Sequence, residues 1–194
     1  NRGRSADPNH ILGHGYVFII AAKYGAAFPE LRLDFVNRGV SGNTVLELEK
    51  RWKADTLDLK PDLLSVMIGI NDCSRKVPLE QYEQTYDKLL TEARAANPDL
   101  RLVLIEPFTL PSGRKQNEYD TWSQNVARYA QLTAKLAAKH KAALVSLQKT
   151  FDAATKLAPA DYWIWDGVHP TYRGHQLIAD QWVAAVRRMG EHGK

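Results

Sequence analysis

The alternation of apolar and polar positions divides the chain into helical and extended stretches. Apolar residues recur at the spacing of an amphipathic helix in five stretches: residues 11–28, 44–59, 79–97, 118–140 and 173–189. Two shorter stretches, 62–70 and 101–106, are almost continuously apolar, which is typical of strands covered on both faces. Residues 142–147 form a third short strand pattern, and residues 31–37 alternate apolar with polar positions as a half-buried strand does.

This order of elements predicts an α/β fold. Strands separated by helices of about 15 to 20 residues are typical of a parallel sheet with right-handed crossovers. No repeat, low-complexity segment or linker interrupts the pattern, so we expect a single domain over residues 1–194. In open α/β sheets the reacting groups lie in loops beyond the carboxyl ends of the strands. The loops after residues 37, 70, 106 and 165 are therefore the places to look for chemistry.

Composition narrows the class of protein. The 194 residues carry a formal charge of +4, but Lys and Arg are interleaved with Asp and Glu, which argues against a nucleic-acid partner. No apolar run approaches the roughly 20 residues of a membrane-spanning helix, so we expect no membrane partner. Cys73 is the single cysteine, which excludes an intrachain disulfide and a Cys-rich metal site. We expect a cytoplasmic protein on this basis, with secretion left open.

Two loop motifs carry groups that suit a developing negative charge. Residues 37–44, NRGVSGNT, include Gly42 in a turn whose exposed backbone N–H groups are good anion donors. Asn71 follows the predicted strand 62–70 and can aim its side-chain amide into a cleft, toward an oxyanion. Each motif also has a plain interpretation, as a strand-to-helix turn in the first case and as a helix cap in the second.

A third motif lies near the C-terminus. Residues 163–170, WIWDGVHP, place a carboxylate three residues before a histidine in a turn that contains Gly and ends with Pro. In such a turn Asp166 can accept a hydrogen bond from Nδ1 of His169. This bond fixes the tautomer and leaves Nε2 free as a general base. The alternative is a histidine with a purely structural role.

In this order and context, the three motifs resemble the blocks SGNT, GIND and DGVHP of the SGNH-type (GDSL-like) serine hydrolases. The resemblance implies a flavodoxin-like three-layer sandwich with a five-stranded parallel sheet. It also implies carboxylic ester hydrolysis by a Ser-His-Asp mechanism through an acyl-enzyme, without a metal or an organic cofactor. His169 would be the general base and Asp166 its partner. Gly42 and Asn71 would form the oxyanion hole.

The resemblance leaves the nucleophilic serine unaccounted for. The family's first block, a strand followed by Gly-Asp-Ser, does not occur in the sequence. We expect about 15 to 25 residues before residue 1 to carry this serine and the central first strand, because a sheet lacking its middle strand would leave buried backbone groups unpaired. Ser5, Ser41 and Cys73 are weaker candidates, since Ser41 fits as part of the glycine turn and nothing beside Cys73 would lower its pKa.

The segment WDGVHPTYRGH resembles bacterial carbohydrate acetylesterases of this family, such as acetylxylan esterases. Trp163 and Trp165 are able to stack on a sugar ring, although packing in the core or the pocket wall is an equally good interpretation. We expect O-deacetylation of an acetylated carbohydrate, with a small-molecule or oligosaccharide ester as substrate.

Several alternatives stay open at this point. One is a lysophospholipase-like or thioesterase-like acyl hydrolase, and another is a non-catalytic SGNH domain that binds glycans without turnover. A flavodoxin-like signalling or nucleotide-binding domain fits less well, because the sequence shows neither an acidic phospho-acceptor cluster nor a Gly-rich phosphate loop. The polar loop 113–119 would shape either the cleft or a subunit contact, so a homo-oligomer is also left open.

Overall fold

The computed structural model describes residues 10–191, so Ser5 lies outside the described residues. One sheet of three parallel strands forms the centre of this part of the chain. The strands are β1 (Leu63–Met67), β2 (Arg101–Ile105) and β3 (Ala143–Val145), and they lie in the order β1-β2-β3. They confirm the strands predicted at 62–70, 101–106 and 142–147.

Eight α-helices connect and cover the strands of the described part of the chain. They are α1 (Tyr16–Ala27), α2 (Val45–Trp52), α3 (Ile70–Ser74), α4 (Leu79–Ala96), α5 (Tyr119–Lys139), α6 (Gln148–Ala154), α7 (Ala160–Trp163) and α8 (Tyr172–Glu191). Short 3-10 turns lie at Pro29–Leu31 and Gly113–Lys115, and a π-helical turn, Lys53–Leu57, extends α2. None of the described helices combines the length and apolar character needed to cross a membrane.

The sheet separates two apolar cores. In β2 the side chains of Leu102 and Leu104 enter one core, with residues of α2, α4 and α5. Val103 and Ile105 point the other way and pack with residues of α1, α6 and α8. This period-two alternation places helices on both faces of a parallel sheet, which is the α/β layering that the sequence predicts. Leu63 of β1 pairs with Arg101 of β2, which aligns the carboxyl ends of the two strands.

The strand predicted at 31–37 is not observed. A 3-10 turn occupies the start of this stretch, and Arg32 has a left-handed backbone with φ 47°. A strand is defined by a ladder of hydrogen bonds, and no strand of the described residues pairs with this segment or with the outer edge of β1. Leu33 and Val36 consequently stay exposed.

Other predicted boundaries shift for local reasons. The helix predicted from residue 11 begins at Tyr16, because Gly15 before it has an extended backbone. The helix predicted over 44–59 changes from α-helical to π-helical hydrogen bonding at Lys53. The helices α3, α6 and α7 were not predicted, since segments of 5, 7 and 4 residues are too short to show a helical period.

Candidate active site

A closed turn before α8 carries Asp166 and His169. The flanking residues Ile164 and Pro170 form an antiparallel bridge, and Trp165 donates its backbone N–H to the carbonyl of His169 at 3.2 Å. Gly167 has φ 85°, a left-handed conformation that suits glycine. These contacts fix the backbone on which the acid and the imidazole are displayed.

Asp166 orients the imidazole of His169. Its Oδ2 lies 2.8 Å from Nδ1 of the histidine, while its Oδ1 accepts the backbone N–H groups of Val168 and His169 at 3.1 and 2.8 Å. Burial alone would raise the pKa of Asp166, but the hydrogen bonds from the backbone and imidazole of His169 outweigh burial and lower it. The acid therefore stays ionised and holds the proton on Nδ1. No described residue hydrogen-bonds Nε2, so this nitrogen is free to act as a base.

Buried hydrogen bonds from the loop after β2 hold the turn that carries Asp166 and His169. Thr109 follows β2, and its hydroxyl donates to the carbonyl of Gly167 at 2.6 Å while accepting the indole N–H of Trp122 at 2.9 Å. The hydroxyl of Ser112 donates to the carbonyl of Ile164. Both hydroxyl residues are buried, so these bonds connect the loop after β2 rigidly to the turn.

The Gly42 turn and Asn71 meet on the other side of the site. Gly42 has φ 78°, and the turn leads into α2, which begins with a capping box between Thr44 and Glu47. Asn71, at the start of α3 just beyond β1, donates from Nδ2 to the carbonyl of Asn43 at 3.0 Å. Since the amide carries two hydrogens, one remains for another acceptor.

Asp72 fastens these two segments together. Its Oδ1 accepts the backbone N–H of Val45 at 2.9 Å, and the side chain is fully buried. Burial raises the pKa of Asp72 to about 6. Its neighbour Cys73 is also buried, which raises the pKa of the thiol to about 11, so this cysteine is a poor nucleophile at neutral pH.

His169 and Asn71 line the same cavity, which has a volume of about 140 Å³. Asp166 lies behind His169, and Gly42 lies beside Asn43, the residue that Asn71 contacts. The structure therefore brings the sequence-predicted groups to one location, although they come from three separate loops. The cavity lining consists of Ile70, Asn71, Ser74, Arg114, Lys115, Trp122, Val168 and His169.

The sequence pattern of the GDSL-like lipase/acylhydrolase family matches residues 5–177. The chain belongs to this family. This confirms the resemblance seen in the sequence motifs. The match includes all four predicted catalytic and oxyanion-hole residues, Gly42, Asn71, Asp166 and His169.

The chain is also similar to proteins named as esterases and thioesterases. The chain is 33% identical over 185 residues to an acetylxylan esterase of Geobacillus stearothermophilus, covering 90% of this chain and 82% of the relative. It is 30% identical to thioesterase 1/protease 1/lysophospholipase L1 of Escherichia coli, covering 94% of this chain and 84% of the relative. A crystal structure of the Geobacillus acetylxylan esterase superposes with a TM-score of 0.83 at 31% identity, covering 95% of this chain and 88% of the other.

The two tryptophans predicted to bind substrate lie in different environments. Trp165 is 54% exposed, and its ring stacks on His169 with the centroids 5.9 Å apart. Trp163 points into the fold, where its indole N–H donates to the carbonyls of Ala154 at 3.0 Å and Ala158 at 3.2 Å. Of the two, only Trp165 is placed beside the imidazole.

The sequence motifs do not point to Arg114, Lys115 and Trp122 as residues of this GDSL-family site. Arg114 and Lys115 come from the polar loop 113–119, and Trp122 from the first turn of α5. In the sequence, only the position of this loop after a predicted strand indicates that it could border the site. That position fits either a cleft or a subunit contact. Among the described residues, no group of three or more His, Cys, Asp or Glu side chains is arranged to hold a metal ion.

Proposed function

We propose that this member of the GDSL-like family is a serine esterase that removes acetyl groups from an acetylated carbohydrate. The observation that carries the proposal is the imidazole of His169. Asp166 holds Nδ1 at 2.8 Å, while the ring borders a cavity that it shares with Asn71. A base fixed by an acid and facing an amide donor is the arrangement that acyl transfer requires.

The proposed reaction has two steps. The serine hydroxyl attacks the acetyl carbonyl while Nε2 of His169 takes its proton, and Asp166 stabilises the imidazolium. The backbone N–H of Gly42 and the side-chain amide of Asn71 donate to the oxyanion, each lowering the barrier by about 3 kcal/mol. The C–O bond then breaks, and the sugar hydroxyl leaves with the proton from His169. Water, activated by the same imidazole, releases acetate and restores the serine.

The nucleophile, in this proposal, comes from a segment before residue 1. The outer edge of β1 has no ladder partner among residues 10–191, and unpaired buried backbone groups cost about 1–3 kcal/mol each. A further strand on this edge would pair with β1 and would cover Leu33 and Val36, which are exposed. With a second strand formed by residues 31–37, the sheet would reach the five strands expected of the fold. Solved structures of the Geobacillus esterase include catalytic mutants in which a serine or an aspartate is replaced by alanine, which supports the same mechanism here.

A short acyl group on a sugar fits the site best. The cavity of about 140 Å³ between His169 and Asn71 has room for an acetyl group. Trp165 offers an exposed ring beside His169 on which a sugar can stack. The similarity to an acetylxylan esterase supports an acetylated carbohydrate as substrate.

A second candidate is the hydrolysis of thioesters or lysophospholipids. The similarity to the Escherichia coli thioesterase and lysophospholipase favours it, since the identity is 30% over 94% of this chain. The ratio of activity on acetyl and on octanoyl esters distinguishes the two candidates, and we expect acetyl esters to react faster.

Fluorophosphonate labelling of the protein with its N-terminal segment tests the proposal. We expect covalent labelling of one serine, together with release of acetate from acetylated xylobiose. Replacing that serine by alanine should abolish both signals. Binding of the sugar without labelling and without acetate release would contradict the proposal and would indicate a non-catalytic glycan-binding domain.

A further inference from the structure

One wall of the cavity is cationic. Arg114 and Lys115 both line it, and both come from the 3-10 turn Gly113–Lys115 between β2 and α5. No carboxylate is among the described residues that line the cavity. A neutral acetylated sugar can accept hydrogen bonds from these two groups but offers no negative charge to pair with them. Their positive charges therefore point to an anionic feature of the substrate.

Lys115 is held in a fixed place. Its stem packs directly against Gly167, since a Cβ added to this glycine would lie 2.5 Å from Cβ of the lysine. Its ammonium group lies 3.8 Å from the centroid of the Trp122 ring. Within residues 10–191 this ammonium makes no ion pair with a carboxylate, and the side chain is half-buried. The charge is therefore positioned and available to an anion from outside the protein.

Lys115 lines the same cavity as Asn71, the proposed oxyanion donor. His169, the proposed base, borders this cavity as well. An anionic group bound by Lys115 would belong to a substrate that also reaches His169.

Arg114 is a second cation beside the cavity, and it already contacts a carboxylate. Its guanidinium lies 3.6 Å from Oδ2 of Asp166, an oxygen that His169 already contacts at 2.8 Å. The arginine side chain is exposed, and its remaining N–H groups are directed to no other carboxylate of the described chain. A guanidinium can bind a carboxylate with two parallel hydrogen bonds, which a lysine cannot do.

We infer that the preferred substrates are acetyl esters whose carbohydrate carries a carboxylate, as an acetylated uronic acid residue does. This inference rests on the proposed function, since it names the substrate class of the same site. Lys115 and Arg114 bind the sugar carboxylate while the acetyl carbonyl lies between Asn71 and His169. The chemistry is that of the proposed deacetylation: the acetyl C–O bond breaks, the sugar hydroxyl takes the proton from His169, and water yields acetate.

Three matched esters test the inference on the protein with its N-terminal segment. They are an acetylated methyl glucuronoside, an acetylated methyl xyloside, and a succinylated methyl xyloside, whose charge lies on the acyl side. We expect kcat/KM to be about tenfold higher for the glucuronoside than for the acetylated xyloside. Lys115→Gln should reduce this ratio about tenfold. Raising the salt concentration from about 0.05 M to about 0.5 M should also reduce it, because ions screen the attraction.

Lys135→Gln is the matched control. Lys135 lies on α5, roughly 20 Å along the helix axis from Trp122, and pairs with Glu83. Lys135→Gln removes the same positive charge at a distance from the cavity. It should leave the ratio of kcat/KM between the glucuronoside and the acetylated xyloside unchanged. A ratio near one in the unsubstituted protein would overturn the inference, as would a ratio that Lys115→Gln leaves unaltered. Preference for the succinylated ester would overturn the placement of the charge on the sugar.

Binding separates the inference from the proposed function. If none of the three esters is hydrolysed, the proposed function fails. Calorimetry with methyl glucuronoside and methyl xyloside then decides the inference by itself. Tighter binding of the glucuronoside that is lost in Lys115→Gln supports the inference, and equal binding of the two sugars overturns it.

Discussion

Asp72 joins the two segments of the proposed oxyanion hole, because its Oδ1 accepts the backbone N–H of Val45 at 2.9 Å. Val45 opens the helix that follows the Gly42 turn, and Asp72 is the neighbour of Asn71 in the chain. Its second oxygen, Oδ2, has no hydrogen-bond partner among the described residues. The contact that orders the site therefore leaves a buried carboxylate incompletely satisfied.

This burial predicts an unusual pH dependence of stability. The pKa of Asp72 rises from 3.8 to about 6 in the folded protein because of burial. The folded state therefore holds the proton more tightly than the unfolded chain does. The stabilisation from Asp72 is fully present below about pH 4 and is lost as the pH rises through about 6, by about 3 kcal/mol in total.

Asp72→Asn tests this linkage, because an amide keeps the acceptor for Val45 but does not ionise. We expect the free energy of unfolding of the unsubstituted protein, relative to Asp72→Asn, to fall by about 2.5 kcal/mol between about pH 4 and about pH 7.5. Urea unfolding at the two pH values measures it. Asp72→Ala, which also loses the hydrogen bond from the backbone N–H of Val45, should be destabilised at both pH values. An equal difference at both pH values for Asp72→Asn would show that the carboxyl does not titrate in this range.

Asp166→Asn should separate catalysis from folding. An asparagine oxygen can still accept the backbone N–H groups of Val168 and His169, but its amide no longer stabilises the imidazolium or holds the proton on Nδ1. We expect kcat to fall by about 10³- to 10⁴-fold. Steady-state kinetics on an acetyl ester and thermal unfolding measure the two effects. A variant that keeps more than about a tenth of the activity would show that the acid is not the partner of the base.

The hydroxyl of Thr109 connects the loop after β2 to the turn of Asp166. Thr109→Val keeps the shape but leaves the carbonyl of Gly167 and the indole N–H of Trp122 unpaired. We expect a loss of about 2–4 kcal/mol in the free energy of unfolding. Thr150→Val is the matched control, since the Thr150 hydroxyl on α6 makes only one weak, exposed hydrogen bond, at 3.4 Å, and this substitution should change the stability by less than about 0.5 kcal/mol. Equal effects of the two substitutions would contradict the role of Thr109.

Gly167 permits both the shape of the turn and the approach of Lys115. Gly167→Ala would place a Cβ 2.5 Å from Cβ of Lys115 at a residue with φ 85°. We expect a cost of at least about 2 kcal/mol in chemical unfolding. Gly25→Ala is the control, because Gly25 lies inside α1 with no atom within 4 Å of an added Cβ. It should stabilise the protein by about 0.5–1 kcal/mol. Destabilisation by both alanines would argue against the special role of Gly167.

The sequence revealed what local spacing encodes. The strands β1, β2 and β3 are short apolar runs, and Asp166 and His169 lie three residues apart in one turn. Both features depend on a few neighbouring residues, so they can be predicted from the sequence alone.

Other parts of the fold and the site depend on distant partners. Lys115 enters the cavity because a glycine 52 positions later leaves room for its stem. The alternation at 31–37 predicts a strand, but a strand needs a neighbour, and the described residues provide none. The indole of Trp163 turns toward Ala154 and Ala158, which no motif indicates.

The central claim is that His169 is the base of an ester hydrolysis. It is tested most directly by the kcat/KM of His169→Ala on an acetylated carbohydrate, measured on a chain that includes the proposed N-terminal segment. His140→Gln serves as control, since His140 lies at the other end of α5 and pairs with Asp87. We predict a loss of at least about 10³-fold for His169→Ala and activity close to normal for the control. Equal activity of His169→Ala and the unsubstituted protein would contradict the account.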